Sequence, residues 1–197
     1  GIVGNAGIMA LPTLQQKHGL ELQFLTNHIG HFILVTGLLP VLGDFARVVM
    51  LSSSAHKAAP KAGIDFDNLD GGKGYGPWQA YGQSKLANLL FAKELAQRLR
   101  GTNKTANAVH PGVILTNLAR HMNPFQRAVM AGVEPLFLKT VPQGAATQCY
   151  VATHPDAAGI SGAYFADCNV AKPKAIAENR ELAQKLWQVS EELVAKL

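Results

Sequence analysis

Arg47-Val-Val-Met-Leu-Ser-Ser-Ser54, followed downstream by Tyr81-Gly-Gln-Ser-Lys85, is the part of this chain from which the fold can be read. Residues 47 to 51 are β-branched or apolar without alternation, the composition of a strand buried on both faces. Gln79 to Arg100 carries Leu86, Leu89, Leu90, Ala92 and Leu95 on one side and ends at Gly101, which predicts a helix. Tyr81 and Lys85 stand four residues apart and so share a face of that helix. An ammonium beside a phenol favours tyrosinate and is expected to lower the phenol's pKa from its reference near 10. A group that gives and takes a proton near neutral pH needs such a shift. The pair alone is a common chance pattern; serines at the end of the preceding strand turn it into a chemical constellation.

Working outward, strand and helix alternate. Gly1 to Gly4 reads as the end of a strand entering the turn Asn5-Ala6-Gly7. Leu22, Leu25, Ile29, Phe32 and Ile33 recur at helical spacing, so Leu20 to Leu39 is expected to be one long helix stopping near Pro40. Lys57 to Pro77 is a polar, Gly-rich loop. Thr105 to His110 is the next strand, closed by Pro111-Gly112. Gln143 to Thr153 is a helix, Gly162 to Asp167 a last strand, and Glu178 to Val194 an amphipathic helix with Leu182, Leu186, Val189 and Leu193 in register. This order implies parallel βαβ units: a three-layer α/β fold, a Rossmann-type parallel sheet with helices on both faces, in a single domain over residues 1–197. A dinucleotide-binding sheet normally opens with a GxGxxG turn, and the chain has none at that spacing. The expected fold is therefore its later part only, with the first strands absent.

The 197 residues are 48% hydrophobic and 16% charged, an ordinary globular composition. The net charge of +5 is scattered, with no basic run among aromatics, so nucleic acid is not an expected partner. A phosphate-bearing cofactor accounts for the bias equally well. Cys149 and Cys168 form no CxxC pair, which fits a reducing compartment, and a cytoplasmic location is expected. Phe32 to Leu42, the most apolar stretch, is short and broken by Pro40, so no membrane span is expected. No signal peptide is visible, and the first residues do not look like a natural start. His28 and His31 share a helix face without a third ligand, so no metal site is expected. Asp65, Asp67 and Asp70 are mispositioned for a calcium loop, and Glu191 and Glu192 lie on a polar helix face.

On these residues the chain resembles the short-chain dehydrogenase/reductase family, and within it the retinol-dehydrogenase-like branch, over essentially its whole length. Asn5-Ala6-Gly7 is similar to the end of the family's Asn-Asn-Ala-Gly turn, with Gly4 in place of the first Asn. Asn27, in Thr-Asn-His-Ile-Gly-His-Phe, falls on the family's catalytic Asn, thought to hold a water in a proton relay. Ser53 matches the catalytic Ser, because the family pattern is two serines, any residue, then Ala-His, with its neighbours Ser52 and Ser54 as the alternatives that the triplet leaves open. Tyr81 and Lys85 match the catalytic Tyr and Lys, and Leu-Ala-Asn-Leu-Leu-Phe continues as in this branch. Pro111-Gly112-Val113 with Thr116 resembles the segment that contacts the nicotinamide carboxamide.

The resemblance implies NAD(P)-dependent oxidation of an alcohol or reduction of an aldehyde or ketone, with NADP favoured over NAD. Tyr81 would be the general acid in reduction and the base in oxidation. Lys85 would lower its pKa and bind the nicotinamide ribose, and Ser53 would hydrogen-bond the substrate oxygen. Asn27 would serve the relay, against the alternative of a buried structural Asn. Asn5, Ala6, Gly7, Pro111, Gly112, Val113 and Thr116 would contact the cofactor. The residues from Asn117 to Thr140, rich in Leu, Met, Phe and Val, would cover an apolar, retinol-like substrate. A homo-oligomer using residues 20 to 39 and 79 to 100 is expected. Two alternatives stand beside this: a catalytically silent fragment or binding protein of the same fold, and a sugar-nucleotide epimerase.

Overall fold

Strand Ile2–Gly4 (β1) is the edge of a five-stranded sheet in the computed structural model, which describes residues 1–113 and 139–197. A small antiparallel ribbon, Gln16–Lys17 (β2) with Leu20–Glu21 (β3), stands apart from the sheet. β1, Arg47–Leu51 (β4), Thr105–His110 (β5) and Tyr164–Ala166 (β6) run parallel in that spatial order. Asn169–Val170 (β7) closes the sheet antiparallel to β6. The mixed parallel sheet has helices on both faces, a partial Rossmann-type architecture.

The unbroken apolar run of β4 makes sense in this setting. Side chains alternate across a strand, so Val48 and Met50 enter one core while Val49 and Leu51 enter the other. The larger core lies under Pro77–Arg98 (α3), which contributes Leu86, Leu89, Leu90, Phe91 and Leu95. The smaller core joins Val109 and Phe165 to Val151 of helix Val141–Thr153. Pro77 occupies the first turn of α3, where its missing N–H is harmless, and Gly101 beyond the helix takes φ +85°.

The expected long helix is interrupted. It begins as Leu22–Phe24 (α1), widens into a π-helical turn at Leu25–Ile29, continues as Gly30–Leu38 (α2) and ends in a 3-10 turn, Leu39–Val41. Leu20 and Glu21 belong to the ribbon instead, because His18 and Gly19 both take positive φ, the geometry of a tight hairpin turn. β7 was not anticipated for a related reason: Asp167 and Cys168 form such a turn without a glycine. From Leu22 to Val41 the helical run is longer than the apolar stretch seen in the sequence, and by length and composition it could cross a membrane. Its inner face buries Phe24, Asn27, His28, Ile29 and Phe32 in the larger core, the pattern of a core helix.

Helix Arg180–Val194 covers α3 from outside. Trp187 stacks on Phe91 with ring centres 5.4 Å apart, and the Arg98 guanidinium lies 4.1 Å from the Trp187 ring. Residues 81 to 92 of α3 are consequently buried. Among the described residues, α2 exposes Ile33, Leu34 and Leu38, and α3 exposes Trp78 at its start.

Candidate active site

Three chain segments meet at the carboxyl ends of β1, β4 and β5. The serine triplet follows β4, and its members part ways. Ser52, buried, donates to the Lys85 carbonyl at 2.8 Å and so locks the strand end to α3. Ser53 caps the 3-10 turn Ser54–Ala58, its Oγ accepting from the Ala55 N–H at 3.1 Å, and its side chain lies close enough to the Tyr81 phenol to influence its protonation. Ser54 is exposed, and its N–H donates to His110 Nδ1 at 3.3 Å.

Tyr81 and Lys85 are both buried on the same side of α3. Lys85 Nζ lies 5.6 Å from the Tyr81 ring centre and donates to the Leu51 carbonyl at 3.2 Å. Asn88, one turn further, donates to the same carbonyl at 3.0 Å.

Burial governs the protonation of both groups. It pushes the Tyr81 phenol up to about 12, with the nearby Ser53 side chain opposing the rise. It pushes the Lys85 ammonium down to about 8. The expected lowering of the phenol by its neighbour is therefore not what the folded chain does. Removing either group from water disfavours its charged form, and that effect exceeds the attraction across this separation.

Asn27 sits in the π-helical turn, fully buried. Its Oδ1 accepts from the Ile8 N–H at 2.8 Å, and its Nδ2 donates to the Ile8 carbonyl and to Ser84 Oγ, both at 2.9 Å. The amide thus fastens the segment after β1 to α3. Its own main-chain carbonyl accepts from His31 Nδ1 at 2.8 Å, which fixes that ring's tautomer because a carbonyl cannot donate. His28 is engaged elsewhere, its Nε2 facing Ser190 Oγ at 2.9 Å.

Asn5 and Ala6 are exposed at the strand end and Gly7 is half-buried. A Cβ at Gly7 would lie 3.0 Å from Asn27 Oδ1 and 3.5 Å from Lys85 Nζ, so glycine lets the turn approach the buried ammonium. At Gly4 the space of a side chain is taken by Met50 and His31. Pro111, Gly112 and Val113 follow β5 at the same edge; Gly112 takes φ +94° beneath the Lys139 side chain, and the Lys139 N–H donates to the Val113 carbonyl at 2.8 Å. Lys139 also pairs with Asp167. Thr116 lies outside the described residues, as does the expected substrate cover up to residue 138.

Two residues that position this site were given no role in the sequence reading. One is Gly82, where a Cβ would stand 2.6 Å from the Ala55 carbonyl oxygen and 2.9 Å from the Ala59 nitrogen. Both are main chain and cannot turn aside. A glycine inside a helix is unfavourable by about 1 kcal/mol, and its place beside Tyr81 was the available signal of a close approach. Gly82→Ala is expected to destabilise the fold by about 1–3 kcal/mol and to push the Ser53 turn away from Tyr81. Urea unfolding and kcat, with Gly37→Ala as an open-space control, check this; a variant matching that control in both would refute the crowding argument. The second residue is His56, wholly buried behind Ser53.

No family model matches the chain. It is 46% identical to short-chain dehydrogenase TIC 32 B, chloroplastic, of Brassica napus, covering 100% of this chain and 64% of that protein. It is 42% identical to human retinol dehydrogenase 14, covering 100% of this chain and 59% of that one. The chain thus spans less than two thirds of these relatives, and the first is a chloroplast protein by name. Among solved structures, a protein from Mycobacterium paratuberculosis superposes with TM-score 0.75 at 34% identity, over 97% of this chain and 65% of the other. The NADP-bound angucycline C-6 ketoreductase LanV superposes with TM-score 0.61 at 21% identity, over 84% and 59%, a likeness of fold.

Proposed function

Since the chain belongs to the short-chain dehydrogenase/reductase family, we propose that its site moves a proton between Tyr81 and a carbonyl or alcohol oxygen during NAD(P)-dependent reduction or oxidation. The observation that carries this reading is the cluster at one sheet edge: Tyr81 with the Ser53 side chain near its phenol, and Lys85 buried beside the same ring. The cofactor would supply the hydride. The residues present fit its nicotinamide half. Lys85 donates one N–H to Leu51 among the described residues, which leaves donors for a ribose hydroxyl, and Gly7 keeps the approach to that ammonium narrow.

In reduction, Ser53 donates a hydrogen bond to the substrate oxygen, stabilising charge as it develops there. Tyr81 gives its proton to that oxygen, and Lys85 stabilises the tyrosinate left behind. With the phenol protonated at neutral pH, the resting site is poised for this direction. Asn27 holds the Ile8 segment in place; a relay role would use its main-chain carbonyl, beside His31. NADP(H) is taken ahead of NAD(H) on the family resemblance. An apolar aldehyde or ketone is the substrate class. It is supported by Trp78 and Val141, 43% and 63% exposed at the helix starts on this edge, with Trp78 edge-on to Tyr81 at 6.2 Å.

The test is NADPH and NADH oxidation followed at 340 nm over a panel of apolar aldehydes and ketones, with cofactor binding measured by fluorescence titration. Aldehyde-dependent turnover is expected. Cofactor binding without turnover on any carbonyl would favour the second reading, a silent binding protein.

A further inference from the structure

We propose that His56 is a positioning residue: it holds the Ser53 turn by bridging the Ser53 carbonyl to the main-chain amide of Lys174. The inference rests on the reading of Ser53 given above and adds a residue that the Ser-Tyr-Lys constellation does not contain. His56 is completely buried. Its Nδ1 lies 2.6 Å from the Ser53 carbonyl oxygen, and its Nε2 accepts from the Lys174 N–H at 3.1 Å. A carbonyl only accepts and an amide N–H only donates, so the two bonds together require one neutral tautomer, with the proton on Nδ1.

The bridge is braced on both sides. The ring meets Tyr164 of β6 edge-on at 5.3 Å, and Lys174 Nζ donates to the Lys57 carbonyl at 3.1 Å. The segment leading to the C-terminal helix is thereby tied to the turn that carries Ser53. The other bonds to Ser53 stay within its own turn: its hydroxyl accepts from the Ala55 N–H and its carbonyl from the His56 main-chain N–H, each at 3.1 Å, so the imidazole bridge is what ties it to the C-terminal segment. A displacement of about 1 Å at such a position can lower turnover by on the order of 10²-fold.

Protonation would break the bridge, because a second N–H would then oppose the N–H of Lys174. The titratable groups that face the ring are Lys57 on its own turn, Lys174 on the C-terminal segment, His110 at the end of β5 and Tyr164 on β6. Burial and the two lysines hold the ring's pKa below its ordinary value, and the Ser53 carbonyl opposes them.

Two kinds of measurement test the proposal. Long-range ¹H–¹⁵N NMR of the imidazole, independent of turnover, should find the Nδ1–H tautomer and no titration near 6.5. An Nε2–H tautomer, or titration at that ordinary value, would overturn it. In kinetics, His56→Asn keeps a donor near Ser53 and should retain kcat within about fivefold, whereas His56→Gln should lose on the order of 10²-fold. Lys174→Pro removes only the bridging N–H and the lysine side chain, since Lys174 already has φ −60°. It should lower kcat likewise and move the acid limb of its pH profile upward, with cofactor Kd unchanged. Equal losses in Asn and Gln variants that merely track the folded fraction would reduce His56 to a packing residue. If the wild-type protein turns over no carbonyl, the proposed function fails while the tautomer measurement still decides the bridge.

Discussion

Tyr81→Phe is expected to lower kcat by about 10²–10⁴-fold, the usual worth of a positioned general acid. Cofactor Kd and the urea midpoint should stay near wild type. The substitution deletes one oxygen and keeps the ring that Trp78 meets edge-on. Ser53, near that oxygen, retains its Ala55 contact, so the turn does not lose its cap. Nothing else in the cluster carries a proton in the same place. Ser52 is bound to the Lys85 carbonyl, and Lys85 points its Nζ at Leu51. Steady-state kinetics beside a cofactor titration separates the two effects. A kcat within threefold of wild type in a folded variant would end the acid–base assignment.

Lys85→Met should abolish most activity and yet stabilise the fold. Lys85 is 4% exposed, and burial moves its ammonium from 10.5 to about 8. A depression of that size means the charged form is disfavoured by roughly 3 kcal/mol in the folded state at pH 7. Met matches the length of the stem without the charge. The Leu51 carbonyl is not orphaned, because Asn88 Nδ2 still donates to it. After subtracting about 1 kcal/mol for the lost hydrogen bond, a gain of about 2 kcal/mol remains. The pH dependence follows from the sign of the shift. Between about 8 and 10.5 the unfolded chain holds more protons at this lysine than the folded one, so wild-type stability rises with pH across that window. Above 10 the raised phenols of Tyr75, Tyr81 and Tyr164 act oppositely, since the folded chain then holds the extra protons. Urea midpoints at pH 7, 8, 9 and 10 should climb in wild type and stay flat in the variant up to 10. A variant less stable than wild type at pH 7 would contradict the desolvation argument. The stabilisation is the ordinary exchange between a strained site and a stable fold.

β4, β5 and α3 were legible because each has one-dimensional causes: a β-branched run, a turn residue, a leucine stripe ended by glycine. The ribbon at 16 to 21 and strand β7 were not: the ribbon turns on His18 beside Gly19, with strands of only two residues, and Asp167 and Cys168 adopt left-handed backbone without the glycine that usually signals it. The π-helical turn at Leu25–Ile29 was hidden as well, since a single widened turn leaves the apolar spacing almost unchanged.

For the site the division is similar. Ser53, Tyr81, Lys85, Asn27 and the turns at 5 to 7 and 111 to 113 could be named from residue type, spacing and resemblance, and the alternating strands and helices bring them to one sheet edge. Which serine faces the phenol was decided by tertiary structure, because only packing tells Ser52, bound to a helix carbonyl, from Ser53, turned toward Tyr81. Burial decided the protonation of Tyr81 and Lys85, reversing the direction read from adjacency for the phenol. Charge spacing is written along the chain, but the water a group loses depends on segments distant in sequence: the C-terminal helix, the π-helical turn and the serine turn around α3. For the same reason Gly82 and His56 mattered only once Ala55 and Lys174 had come to rest against them.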